Sequence, residues 1–200
     1  MNVLHVINNL GVGGAELHLL QLSRSLKEQG IHVEVASLRQ TTKGNRLLRE
    51  DFEAAHIPVH HLHAEKWYDL TFPLRLRRLV RGISDAILHT HLPRADLAGG
   101  FRFPLYRDTP WVCSVHDIYS NSWSGRKTLP IFDLIWRRAD AVVAISDAVR
   151  TWLVQERRVP REKVHVIHYG IDPHPFQTSS SDLRAEWDLG ARPLIGCLAR

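Results

Sequence analysis

Short apolar runs rich in β-branched residues alternate with stretches of helical periodicity along most of the chain, and this alternation constrains the fold more than any single motif. Runs apolar on both faces suit strands buried between two layers, and strands separated by helices pair in parallel through right-handed crossovers. The spacing predicts strands over residues 3–7, 31–38, 58–62, 86–89, 111–115, 141–145 and 164–167, with 90–94 as a loop. Helices are predicted over 15–29, 45–55, 72–82, 130–138 and 147–155. Leu19, Leu22 and Leu26 share one face of the first helix, Gly30 stands at the expected C-terminal cap, and Ser146 is placed to cap the helix that Asp147 opens. The expected class is α/β: a Rossmann-like, mainly parallel sheet with helices on both faces and ligands at the carboxyl ends of the strands.

The polar, serine-rich stretch 177–181 precedes a short helical pattern over 182–187 and an apolar strand pattern over 194–198. The expected organisation is a first domain over 1–176, then an interdomain linker and the first strand of a truncated second domain over 177–200. With 44% hydrophobic and 24% charged residues, disordered and collagen-like classes are excluded. The apolar runs fall far short of the ~20 residues that span a bilayer, and no signal-like leader opens the chain, so a cytoplasmic location is expected. Cys113 and Cys197 both lie in apolar segments and read as core residues rather than a disulfide. A formal net charge of +5 points to phosphates, whether of nucleotide, anionic lipid or nucleic acid.

Between the first strand and first helix runs Gly11-Val12-Gly13-Gly14-Ala15-Glu16. Glycines there let backbone N–H groups approach an anion beside a helix N-terminus, or serve a turn with a positive φ. It is neither a dinucleotide fingerprint, because Glu16 stands at the third glycine, nor a P-loop, because the lysine is missing. Glu16 in the first helical turn would repel a phosphate and reads as facing a hydroxyl or neighbouring loop. His89 and His91 share one strand face at a strand end. Two histidines with no cysteine or acidic pair at ligand spacing argue against zinc, so no metal ligand is expected. His60, His61 and His63 read as an exposed edge. His116 closes an apolar strand before Asp117 and is placed to orient a polar substrate group or share its proton, or to sit as a satisfied histidine at the core's rim.

Taken in order, Gly13-Gly14-Ala15-Glu16, His89-Thr90-His91, Ser114-Val115-His116-Asp117, Val143-Ala144-Ile145-Ser146 and Tyr169-Gly170-Ile171-Asp172 with Phe176 resemble the landmarks of the large retaining glycosyltransferase family four, of GT-B fold. The resemblance runs from Met1 to Arg200 and implies the N-terminal half of such an enzyme. It implies a nucleotide-sugar donor as substrate, no required metal or cofactor, and a sugar or lipid-linked acceptor in cell-envelope, polysaccharide or glycolipid synthesis. It places Gly13 and Gly14 by the donor diphosphate and acceptor, and His116 at the transferred sugar. It sets Glu16, His91, Asp117, Ser146 and Gly170 around the substrates, and Arg200 on the diphosphate. Ala199 and Tyr169 depart from the usual glycine and asparagine. Transfer by the 200-residue chain alone is not expected.

Two other functions fit parts of the sequence: a nicotinamide-dependent oxidoreductase and a non-catalytic scaffold. The first is opposed by Glu16 and by Ala36-Ser37-Leu38 where an acid should follow the second strand. Arg75, Arg77, Arg78 and Arg81, interleaved with leucines and a valine, form a basic helix face that suits solvent or, at the inner face of a membrane, anionic lipid. Phe101-Arg102-Phe103 adds aromatics and charge, and no nucleic-acid recognition motif is present.

Overall fold

A computed structural model describes residues 1–40, 47–66, 69, 71–101, 108–119, 129–177 and 182–196. The chain divides into two compact units, Met1–Gly170 and Ile171–Arg200. In the first, β1 (Asn2–Ile7), β2 (His32–Ser37), β3 (Val59–His61), β4 (Ala86–His91), β5 (Trp111–Val115), β6 (Ala141–Ala144) and β7 (Val164–Val166) form one sheet in the order β3-β2-β1-β4-β5-β6-β7. Every pairing is parallel. The helices are α1 (Gly14–Glu28), α2 (Arg49–Ala54), α3 (Phe72–Gly82), α4 (Pro93–Gly100), α5 (Leu129–Arg138) and α6 (Asp147–Thr151). This is the Rossmann-like α/β class expected from the sequence.

Alternation in β1 divides the core. Leu4 and Val6 join Leu88, Trp111, Cys113 and Trp136 on one face, while Ile7 joins Leu19, Leu20, Val33, Val35 and Phe52 on the other. Gly30, at φ 78, ends α1 with Ile31 N–H donating to Leu26 O at 3.1 Å, a turn that favours glycine. The strand order reverses between β1 and β4, so the carboxyl ends Ile7 and His91 flank the crevice where folds of this type hold ligands.

Besides the second helix, which begins at Arg49 rather than at residue 45, three features differ from the sequence expectation. β4 continues through Thr90 and His91, and α4 occupies what was read partly as loop. The reason is local: Leu92, at φ 74 and ψ 151, turns the chain in one residue, and Pro93 opens the helix. The helix after Ser146 is α-helical only to Thr151 and continues as a π-helical turn, Trp152–Glu156. Residues 194–196 carry no strand, and Cys197, Leu198 and Arg200 lie outside the described residues, as do Arg102 and Phe103.

α4 packs closely on the sheet. A Cβ on Gly99 would lie 2.3 Å from the Trp111 ring. Buried Asp96 accepts from Thr90 Oγ1 at 2.6 Å and Trp136 Nε1 at 3.1 Å. Arg75 of α3 donates to the Leu62 and His63 carbonyls, Thr71 and Asp69, and so belongs to the scaffold, whereas Arg78 and Arg81 are exposed. Cys113 is buried and free. Among the described residues no helix is long and apolar enough to cross a membrane. In the second unit Asp182 caps the short helix Leu183–Glu186 by accepting from the Arg184 backbone N–H at 3.0 Å.

Candidate functional site

The loop leaving β1 is held by its own asparagines. Asn8 Oδ1 accepts from the Ala95 backbone N–H at 3.1 Å, tying the loop to α4, and Asn9 Oδ1 accepts from Gly11 N–H at 2.8 Å. Gly13 precedes α1 in extended geometry, φ −155 and ψ 168, and Gly14 is the first helical residue. Neither has the positive φ that the turn was expected to demand. A Cβ on Gly14 would meet no atom within 4 Å. Among the described residues, therefore, nothing packs against Gly14 closely enough to require a glycine there, and the position is open to solvent.

Behind this loop lies an array of histidines. His5 pairs in register with His89, so the two side chains share the α1 side of the sheet with His91. His5 Nδ1 lies 3.0 Å from His91 Nε2, and His91 Nδ1 lies 3.2 Å from His116 Nε2. His116 Nδ1 is hydrogen-bonded to the Tyr169 hydroxyl. His89 Nε2 lies 2.8 Å from Ser114 Oγ. His18, from the second turn of α1, stacks on Tyr169 with ring centroids 3.9 Å apart and planes inclined by 15°. The His5–His91–His116–Tyr169 series thus runs from the buried middle of β1 to the carboxyl edge of the sheet.

Burial keeps these rings uncharged. It pushes His5 and His91 well below the usual histidine range, His89 to about 4 and His116 to about 3, with neighbouring histidines adding to the effect. Burial, and then the buried carboxylate of Glu16, raise the Tyr169 hydroxyl to about 12. Near neutral pH the histidine array therefore offers neutral donors and acceptors, and His116 carries no positive charge.

The predicted residues divide. Gly13, Gly14, Glu16, His91 and His116 gather at the carboxyl ends of β1, β4 and β5, with Gly170 exposed directly after Tyr169. Asp117 is exposed and turns back to accept from the Ile118 N–H at 2.7 Å. Ser146 Oγ accepts from Val149 N–H at 3.2 Å, so it is engaged as a helix cap. Arg200 lies outside the described residues. His5, His18, Tyr169 as a ring partner, and Asn8 were not singled out from sequence. A histidine interrupting the apolar run of β1 was the available signal for His5.

Nitrogens of His5, His89 and His91 lie within 4.8 Å of one another, close enough to share a metal ion. Their present engagements are with each other, with Ser114 and with His116, and the electrostatic influences on them come from other histidines rather than a carboxylate. Among the described residues no carboxylate is coupled to these rings, so a dication there would be buried with little compensating charge, at a cost of several kcal/mol. The donor set fits a hydrogen-bonded array better than a metal centre.

The family model for glycosyltransferase family 4 matches residues 12–174. No curated protein sequence matches the chain. Among solved structures, the Anabaena protein Alr3699/HepE in complex with UDP-glucose superposes with a TM-score of 0.77 at 22% identity, over 96% of this chain and 50% of that one. A glycosyltransferase from Rickettsia africae gives 0.69 at 15% identity over 94% and 50%. The UDP-GlcNAc 2-epimerase of Neisseria meningitidis, bound to UDP-GlcNAc, gives 0.60 at 16% over 83% and 46%. The chain thus spans about half the length of the structures it resembles, with the architecture of the N-terminal half of a GT-B fold. These structural likenesses speak for the fold, and the family model, which covers most of the sequence, carries the assignment: the chain belongs to glycosyltransferase family 4.

Proposed function

We propose that this chain forms the acceptor side of a retaining glycosyltransferase that moves a sugar from a nucleotide-sugar donor to an acceptor hydroxyl. One observation carries the reading: in a chain of this family, an unobstructed Gly14 adjoins a hydrogen-bonded histidine array at the carboxyl ends of β1, β4 and β5. Backbone N–H groups of the Gly13–Gly14 turn and the start of α1 would face the diphosphate, with Arg200 completing its neutralisation from the second half of the enzyme. The neutral array would orient sugar hydroxyls, so catalysis would come from placing the donor and stabilising the leaving diphosphate, without a metal ion. Domain closure would exclude water that hydrolyses the donor. The acceptor, a sugar or lipid-linked sugar of the cell envelope, would lie over the loops after β1, β4 and β5. Exposed Arg78 and Arg81 would hold the cytoplasmic enzyme against an anionic membrane.

The test uses the protein that carries this chain together with a donor-binding half. Incubated with a panel of nucleotide sugars and acceptors, it should release nucleoside diphosphate only with a matched pair, and His116→Ala should lower that release per folded molecule. No release with any pair would favour the scaffold reading and contradict this proposal.

A further inference from the structure

In a neutral imidazole one nitrogen donates and the other accepts, and a bond at one nitrogen fixes the role of the other. Each link of His5–His91–His116–Tyr169 uses one nitrogen of each ring, so the tautomers are set together. Two arrangements are possible. In the outward one, Nδ1–H of His5 donates to His91 Nε2, Nδ1–H of His91 to His116 Nε2, and Nδ1–H of His116 to the Tyr169 oxygen. In the inward one, Tyr169 O–H donates to His116, Nε2–H of His116 to His91, and Nε2–H of His91 to His5 Nδ1, which forces the His5 proton onto Nε2.

The buried end decides. His5 is fully buried, and its Nε2 has no hydrogen-bond partner among the described residues. The inward arrangement would bury an N–H with no acceptor, whereas the outward one leaves a bare lone pair, the less costly of the two. The outward arrangement commits both nitrogens of His116 to protein partners. It leaves the Tyr169 O–H as the one donor not used within the array, on a ring held by the His18 stack.

We propose that Tyr169, its hydroxyl oxygen fixed by Nδ1–H of His116, is the substrate-facing hydrogen-bond donor of this site and contacts an oxygen of the transferred sugar. His5, His91 and His116 act as positioning residues that set its polarity. The inference rests on the transferase reading for the identity of the ligand. The polarity rests on the geometry alone.

Two measurements test it. Long-range ¹H–¹⁵N correlation spectra of the chain labelled in histidine should show His5, His91 and His116 protonated at Nδ1. Protonation of His91 or His116 at Nε2 overturns the proposal. In the longer protein, Tyr169→Phe should raise KM for the nucleotide sugar by about tenfold, the loss of one hydrogen bond, with a smaller change in kcat. Unchanged KM with normal transfer also overturns it while leaving the transferase reading intact. A wild-type protein that consumes no nucleotide sugar overturns the transferase reading and the sugar contact with it, and the spectra still decide the polarity.

Discussion

Acidifying this protein from pH 7 to about 5.5 should remove a large part of its stability through the buried histidines. His5, His89, His91 and His116 stay neutral in the folded chain, with His89 at about 4 and His116 at about 3, while an unfolded histidine titrates near 6.5. The unfolded chain therefore binds more protons across this window, and stability must fall as pH falls. Each ring that resists protonation contributes a loss of about 1.3 kcal/mol over this interval, about 5 kcal/mol for the four. Asp96 acts in the opposite sense. Burial raises its carboxyl to about 7, so the ionised form is penalised in the folded state and acidification relieves about 1.5 kcal/mol. The net loss of about 3.5 kcal/mol compares with a typical domain stability of roughly 5–15 kcal/mol. Asp69, held below its usual range by hydrogen bonds from Thr71 and Arg75, loses its contribution only at lower pH, outside this window. Urea unfolding followed by tryptophan fluorescence at the two pH values, at fixed ionic strength, reads the difference. His89→Gln should shrink it by about one histidine's share, near 1.3 kcal/mol. Stability that is flat or rising on acidification would refute the buried, neutral array.

Four further outcomes are expected. Gly14→Ala should leave the melting temperature unchanged or slightly raised, since its Cβ meets nothing, while transfer in the longer protein falls on the order of tenfold if a ligand approaches there. Paired melts and kinetics separate this from a purely structural glycine. Gly99→Ala should destabilise by about 1–3 kcal/mol in denaturant unfolding, because Trp111 is buried and lies at 2.3 Å from the new methyl. His116→Ala should cost about 1–3 kcal/mol, more than a strand-end rim position suggests, because His91 and Tyr169 each lose a partner, and it should also lower turnover per folded molecule. The 200-residue chain should fold by circular dichroism yet show no transferase turnover, and measurable turnover would contradict the proposed division of the donor site.

The layering was legible because buried parallel strands and amphipathic helices leave opposite periodicities in the sequence. Most strand and helix positions agree to within a residue or two, and the basic helix Phe72–Gly82 agrees at both ends. The same local logic failed at α4. Pro93 is a good helix opener, but a strand can pass directly into it only if Leu92 takes a positive φ, a demand no leucine advertises. The shared face of His89 and His91 followed from alternation alone. His5 and Tyr169 did not, because their relation to His91 and His116 depends on strand register and order: β4 lies between β1 and β5, and the chain leaving β7 returns to His116. The glycines were read as conformational devices as well as a ligand surface. The backbone gives Gly14 no positive φ and no close neighbour among the described residues, so the conformational role falls away, which could not be known without its φ and surroundings. The family assignment also sets aside the nicotinamide-dependent alternative, which shared the fold class and differed at Glu16 and the end of β2.

The central proposal is transfer with retention at the site formed by the Gly13–Gly14 turn and the His116–Tyr169 pair. The most direct measurement is an NMR time course of the longer protein with its matched nucleotide sugar and acceptor, reading the anomeric proton of the first product. The account predicts a glycoside with the anomeric configuration of the donor, formed together with nucleoside diphosphate. An inverted glycoside, or free sugar released with the acceptor untouched, would contradict it.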